Sequence, residues 1–130
     1  MEKASLVTGA AGGLGRAIAQ QLIKQGHHVI GADISESGLT EFAEALGDDA
    51  ASFRAHTVDL TNVGAVDALF AKIESEFGGL DALVNNAGTC FMSDFPDIPA
   101  EELDQQMAIN FSAAFHCCQR AVPLLSLIHI

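Results

Sequence analysis

Four short apolar runs alternate with four stretches of helical periodicity, and that alternation restricts the fold of this chain more than any other feature. Ala4–Thr8, His28–Ala32, Ser52–Val58 and Leu80–Val84 are each followed by Gly, Asp or Asn, the pattern of short buried strands. Between them the period changes. From Gly13, Leu14, Ala17, Ile18 and Leu22 recur at helical spacing, with Arg16, Gln20 and Lys24 on the other face and Gly26 as the stop. Leu39, Phe42, Ala43 and Leu46 stripe a second helix closed by Gly47, and Val66, Leu69, Phe70, Ile73 and Phe77 a third closed by Gly78-Gly79. A loop through Pro96 and Pro99 leads to a fourth helix from about Ala100 to Ala121, with Pro123 near its end. Strand and helix alternating through such short connections require right-handed crossovers onto a parallel sheet.

Composition removes several classes of function. At 130 residues the chain is one domain or part of one, and 49% hydrophobic against 18% charged residues excludes disorder. Six basic and 17 acidic side chains leave a net charge of −11, the wrong sign for a nucleic-acid partner. No apolar stretch is long enough to span a membrane, and the N-terminus lacks the pattern of a signal peptide. Cys90, Cys117 and Cys118 form neither a disulfide framework nor a zinc motif, so buried free thiols in a reducing cytoplasm are expected. His27, His28, His56, His116 and His129 show no metal-ligand spacing.

The chemistry concentrates where the first strand turns into the first helix, at Thr8-Gly9-Ala10-Ala11-Gly12-Gly13-Leu14-Gly15. A pyrophosphate needs free backbone N–H groups at a helix N-terminus, and residues without a Cβ where chain and ligand approach. Gly9 suits the tight turn, Gly13 the close approach and Gly15 the packing of helix on strand. An ordinary glycine-rich loop is the alternative, and the spacing departs from the usual dinucleotide fingerprint. Asp33 follows the second strand, 18 residues after Gly15, where a carboxylate can accept hydrogen bonds from both ribose hydroxyls. Its charge repels a 2′-phosphate and Ile34 offers no compensating cation, which favours NAD over NADP.

Thr8-Gly9-x-x-x-Gly13-x-Gly15, together with Asn85-Asn86-Ala87-Gly88 after the fourth strand, resembles the short-chain dehydrogenase/reductase family, in its short single-domain branch. The resemblance runs from about residue 4 to residue 123. It implies a Rossmann-like, doubly wound parallel sheet of strand order 3-2-1-4, truncated after the fourth helix. It implies further that Gly9, Ala11, Gly12, Gly13, Leu14 and Gly15 hold the pyrophosphate of NAD and Asp33 its adenine ribose. Asp59 and Leu60 would border the adenine, and Asn86, Ala87 and Gly88 the nicotinamide ribose. Asn110 matches the family's active-site asparagine, whose main-chain carbonyl would hold a water of the proton relay. The activity implied is hydride transfer between NAD(P)(H) and a small alcohol or ketone in a cytoplasmic homodimer or homotetramer, the helix-four surface serving as the subunit face.

The family's Ser and Tyr-x-x-x-Lys would lie beyond the fourth helix, and this chain contains no Tyr. Residues 1–124 are therefore expected to be the N-terminal part of one NAD(P)-binding domain, inactive alone. Leu125–Ile130 can be encoded by a transposon end used in preparing DNA libraries, so residues 125–130 are expected to be a non-native tail. Two other functions fit the same motifs: a dinucleotide-sensing module without catalysis, and an epimerase or dehydratase with tightly held NAD.

Overall fold

A computed structural model describes residues 2–125. Four parallel strands, β1 (Lys3–Thr8), β2 (His27–Asp33), β3 (Phe53–Thr57) and β4 (Ala82–Val84), form one sheet in the order β3-β2-β1-β4. The order expected from the sequence is the order observed. Helices α1 (Gly13–Lys24) and α2 (Glu36–Ala45) cover one face, where Val7, Val29, Ala19, Ile23, Leu39 and Phe42 are buried together. On the other face α3 (Val63–Phe77) and α5 (Ala113–Ala121) enclose Leu6, Ile30, Val66, Phe70, Ile73 and Cys117. β1 is buried along Ala4–Thr8 because helices shield both of its faces, which is why it carries no polar alternation.

The helix boundaries follow local chemistry. Ser35 caps α2 by accepting the Gly38 N–H at 3.1 Å, and Asn62 caps α3 by accepting that of Ala65 at 3.0 Å. Gly78, at φ +73°, ends α3 in the left-handed conformation that glycine adopts without cost.

Three local expectations need correction. The buried line of α1 is Gly15, Ala19 and Ile23, not the stripe led by Leu14 and Ala17, which are exposed. The cause is Gly15: without a side chain, that edge of the helix lies directly on the turn after β1. Between α2 and β3 the chain makes a 3₁₀ turn, Gly47–Ser52, which delays the strand. β4 is shorter than expected, and Leu80 instead bridges to Leu125 while its N–H donates to the Leu124 carbonyl at 2.8 Å. Residues 126–130 of the expected tail lie outside the described residues.

The fourth helix is the largest departure. It divides into α4 (Ala100–Met107), a π turn over Ala108–Ser112, and α5. The wider turn interrupts the ordinary hydrogen-bond ladder and shifts the helix face. Ala113, Cys117 and Ala121 then point into the core, while no residue of α4 is buried. Of the three thiols only Cys117 is buried; Cys90 and Cys118 are exposed, against the expectation of interior cysteines. Burial is the main reason the Cys117 thiol is pushed up to about 11.

Two predictions follow from this packing. A Cβ on Gly15 would stand 2.1 Å from the Gly9 carbonyl oxygen, whereas one on Gly13 would meet nothing within 4 Å. Gly15→Ala should therefore lower the unfolding free energy by about 1–3 kcal/mol, and Gly13→Ala should change it by less than about 0.5 kcal/mol. Urea midpoints measure both, and equal midpoints for the two variants would refute the packing argument. At pH 8 a maleimide or disulfide reagent should modify Cys90 and Cys118 in the native protein but Cys117 only after denaturation, as peptide mapping would show.

Candidate dinucleotide site

The strand order reverses between β1 and β4, so the chains leaving these strands part in opposite directions and open a crevice at their C-terminal ends. A cleft of about 720 Å³ lies there. Gly9 lies at its base. Asp33, Ile34 and Asp59–Thr61 form one wall, and Ala87, Gly88, Thr89 and Phe91 the other. Asp104, Gln105, Ala108 and Ile109 close the far lip.

Thr8 and Asn86 tie together the two strand ends that border the crevice. The buried Thr8 hydroxyl accepts the N–H groups of Asn86 and Ala87, both at 3.0 Å, and reaches the Val84 carbonyl at 3.4 Å. The Asn86 amide donates to the carbonyls of Thr8 at 3.1 Å and Gly9 at 3.2 Å. One hydroxyl and one amide thus join the ends of two strands by five hydrogen bonds. Gly9, at φ +67°, begins the turn, and a Cβ there would fall 2.8 Å from the Asn86 amide nitrogen and 3.0 Å from the Ala87 backbone.

The turn then delivers α1 with an unpartnered N-terminus. Gly12 precedes the helix without a side-chain cap, and the first turn holds no acidic residue. The N–H groups of Gly13, Leu14 and Gly15 have no hydrogen-bond acceptor among the described residues. These orphan donors carry the positive end of the helix dipole.

Asp33 ends β2 with both carboxylate oxygens engaged by the backbone: Oδ2 accepts the Ala11 N–H at 3.0 Å and Oδ1 that of Ser35 at 2.9 Å. Asp59 is turned toward Thr61, whose side-chain hydroxyl at 2.6 Å and N–H at 2.9 Å hold its carboxyl below the usual carboxylate range. Leu60 is buried in the core beneath the cleft wall. Asn110 sits in the π turn, and its side chain clamps the opposite loop at both ends. The amide donates to the Thr89 carbonyl and accepts the Thr89 N–H, each at 2.8 Å.

Of the residues singled out from the sequence, Gly9, Asp33, Asp59, Leu60, Ala87 and Gly88 line the cleft. Ala11, Gly12, Gly13, Leu14 and Gly15 carry the chain from its base into α1, Asn86 lies behind the wall, and Asn110 grips the wall from α4–α5. Three residues were not anticipated. Thr8 opens the glycine motif, but the pattern assigns its hydroxyl no role. Thr89 offers only main-chain groups, which a sequence does not single out. Arg16, expected on the solvent face of α1, folds back under the glycine turn.

The comparisons agree with this geometry. The chain is 34% identical over 125 residues to the D-beta-hydroxybutyrate dehydrogenase of Rhizobium meliloti (strain 1021), covering 95% of this chain and 48% of that protein. It is 38% identical over 113 residues to a 3-oxoacyl-(acyl-carrier-protein) reductase of Vibrio cholerae, covering 87% of this chain and 45% of the relative. Among solved structures it superimposes on a short-chain dehydrogenase/reductase, glucose/ribitol dehydrogenase, from Brucella melitensis with a TM-score of 0.89 at 30% identity. That alignment covers 96% of this chain and 52% of the other. The chain therefore spans about half the length of the relatives it matches. With residues 3–128 matching the short chain dehydrogenase family, and with the crevice, glycine turn and strand order described above, the chain belongs to that family.

Proposed function

We propose that this segment forms the NAD-binding half of an oxidoreductase that moves a hydride between the nicotinamide and a small alcohol or ketone. The observation that carries the reading is the contrast among the glycines. Gly9 and Gly15 are required by the protein itself: Gly9 has a φ of +67° and a Cβ there would crowd the Asn86 amide, and a Cβ on Gly15 would strike the Gly9 backbone. Gly13 has a negative φ and open space around it, so nothing in the folded chain demands glycine there. A glycine that the fold does not need, beside three unpartnered N–H groups at a helix N-terminus, fits a bound pyrophosphate.

The remaining roles follow the same cleft. Gly9 and the segment Ala11–Gly15 would hold the pyrophosphate, Asp33 the adenine ribose, Asp59 and Leu60 the adenine edge, and Asn86–Gly88 the nicotinamide ribose. Asp33 keeps lone pairs toward the cleft after accepting its two backbone N–H groups, and its charge disfavours a 2′-phosphate. Bound nicotinamide supplies the hydride chemistry; the protein's part is orientation and electrostatics. Asn110 holds Thr89 and the cleft wall through its side chain, leaving its main-chain carbonyl, in the π turn, to position a water of the proton relay. In this reading the Tyr-x-x-x-Lys that exchanges the proton would be supplied from outside these residues, so this segment alone should not turn over.

Other features support the wider assignment. Two exposed free thiols suit a compartment that keeps cysteines reduced, in keeping with a cytoplasmic protein. No helix among the described residues is long and apolar enough to cross a membrane. Leu103, Met107, Phe111 and Phe115 are each more than half exposed along α4–α5, as a dimer or tetramer face requires.

Two substitutions test the site in the complete polypeptide that carries this segment. Asp33→Ala should weaken NAD binding more than about tenfold, because a hydrogen bond to a charged group is worth roughly 1.5–3 kcal/mol. Gly13→Ala should weaken NAD binding while the urea midpoint stays put, since its methyl group meets the ligand and not the fold. Calorimetric titration with NAD reads both, and unchanged affinity in both variants would remove the assignment.

A further inference from the structure

Periodicity assigns Arg16 to the solvent side of α1, yet its side chain is only 28% exposed and makes directed bonds to two separate elements. Nε donates to the Ala11 carbonyl in the glycine turn at 2.8 Å, and a terminal nitrogen donates to the Gly38 carbonyl in the first turn of α2 at 3.2 Å. The guanidinium carbon lies 5.7 Å from the centre of the buried Phe42 ring, which holds the plane in place. The planar fork is what allows one side chain to bridge two carbonyls.

These bonds close a ring. Ala11 passes its N–H to Asp33, Asp33 accepts the Ser35 N–H, the Ser35 hydroxyl accepts the Gly38 N–H at 3.1 Å, and the Gly38 carbonyl returns to Arg16. Every link from Ala11 to Gly38 is local to its turn except the two that reach across. Those are Ala11 to Asp33 and Arg16 to Gly38, each spanning 22 residues. Gly38 can sit this close only without a side chain, since a Cβ there would stand 2.9 Å from that of Ala11.

We propose that Arg16 is a positioning residue for dinucleotide selection, holding the glycine turn and the start of α2 so that the Asp33 carboxylate keeps one orientation toward the cleft. This rests on the reading of the cleft as a dinucleotide site, in which the turn and Asp33 hold adjacent parts of one ligand. Their separation must then match the spacing of pyrophosphate and ribose. A preformed spacing avoids paying its ordering cost on binding. The exposed Glu41, 3.0 Å from the guanidinium, is outside the ring and contributes little, because a solvated ion pair is weak.

The test is calorimetric titration of the complete polypeptide with NAD and with NADP, alongside melting curves that confirm each variant is folded. Arg16→Gln should weaken NAD binding by on the order of tenfold, as loss of charged-donor bonds implies, and should lower the preference for NAD over NADP. Arg16→Lys should show the same loss, because it retains charge without the fork, whereas Glu41→Gln should stay within about twofold of the parent. In an Asp33→Ala background, Arg16→Gln should add less than about twofold. Full additivity, an equal loss for both dinucleotides, or wild-type selection in Arg16→Lys would each overturn the positioning role. If Asp33→Ala alone left NAD affinity unchanged, the dinucleotide reading itself would fail and the role of Arg16 with it.

Discussion

The approach of α1 to the end of β1 governs the rest of this structure. Gly15 lies so close to Gly9 that a single methyl group would collide with the backbone, and the line Gly15–Ala19–Ile23 seats the helix on the sheet. That seating leaves the N–H groups of the first turn without acceptors, a state that costs little at a solvent-accessible helix end. It also determines where Leu14 goes: outward, exposed, instead of into the core as its periodic position implies. A fold constraint and a ligand-binding surface therefore share one turn of chain, and substitutions there have to be separated by stability and affinity.

The opposite side of the crevice is held by different means. β4 is only three residues long and contributes few ladder hydrogen bonds. Thr8 and Asn86 supply the deficit with a side-chain lattice that satisfies main-chain groups at both strand ends. Such a lattice leaves few buried polar groups without partners at the point where the sheet divides. Farther out, the π turn brings Asn110 against Thr89 while α5 keeps its small residues on the core. The sheet, the latch and the π turn each position one stretch of cleft wall.

Much of this was legible in the residue pattern. The four strands, the glycine stops of α1 to α3 and the parallel sheet follow from period, glycine placement and crossover handedness, whereas the strand order follows from the family resemblance and is the order observed. The motif residues Gly9, Asp33, Asp59, Leu60, Ala87 and Gly88 were found at the cleft because strand ends converge there in any such sheet. The division of the fourth helix was not legible. Ala108–Ser112 has no proline or glycine to mark a break, and the π turn answers to contacts made 21 residues away in sequence. The exposure of Cys90 and Cys118 was equally hidden, since burial depends on which side of a loop or helix meets the core.

By itself, then, the sequence determined a parallel α/β arrangement of four strands and a helix that opens on glycines beside an acidic strand end. Those are consequences of side-chain period and of the steric freedom of glycine, and each acts over a few residues. Tertiary structure alone decided that Thr8 latches two strands, that Arg16 turns inward to join Ala11 with Gly38, and that Asn110 grips Thr89. In each case the partner is a main-chain group distant in sequence or across a turn. Every residue carries such groups alike, so only the folded geometry selects which of them a side chain will meet.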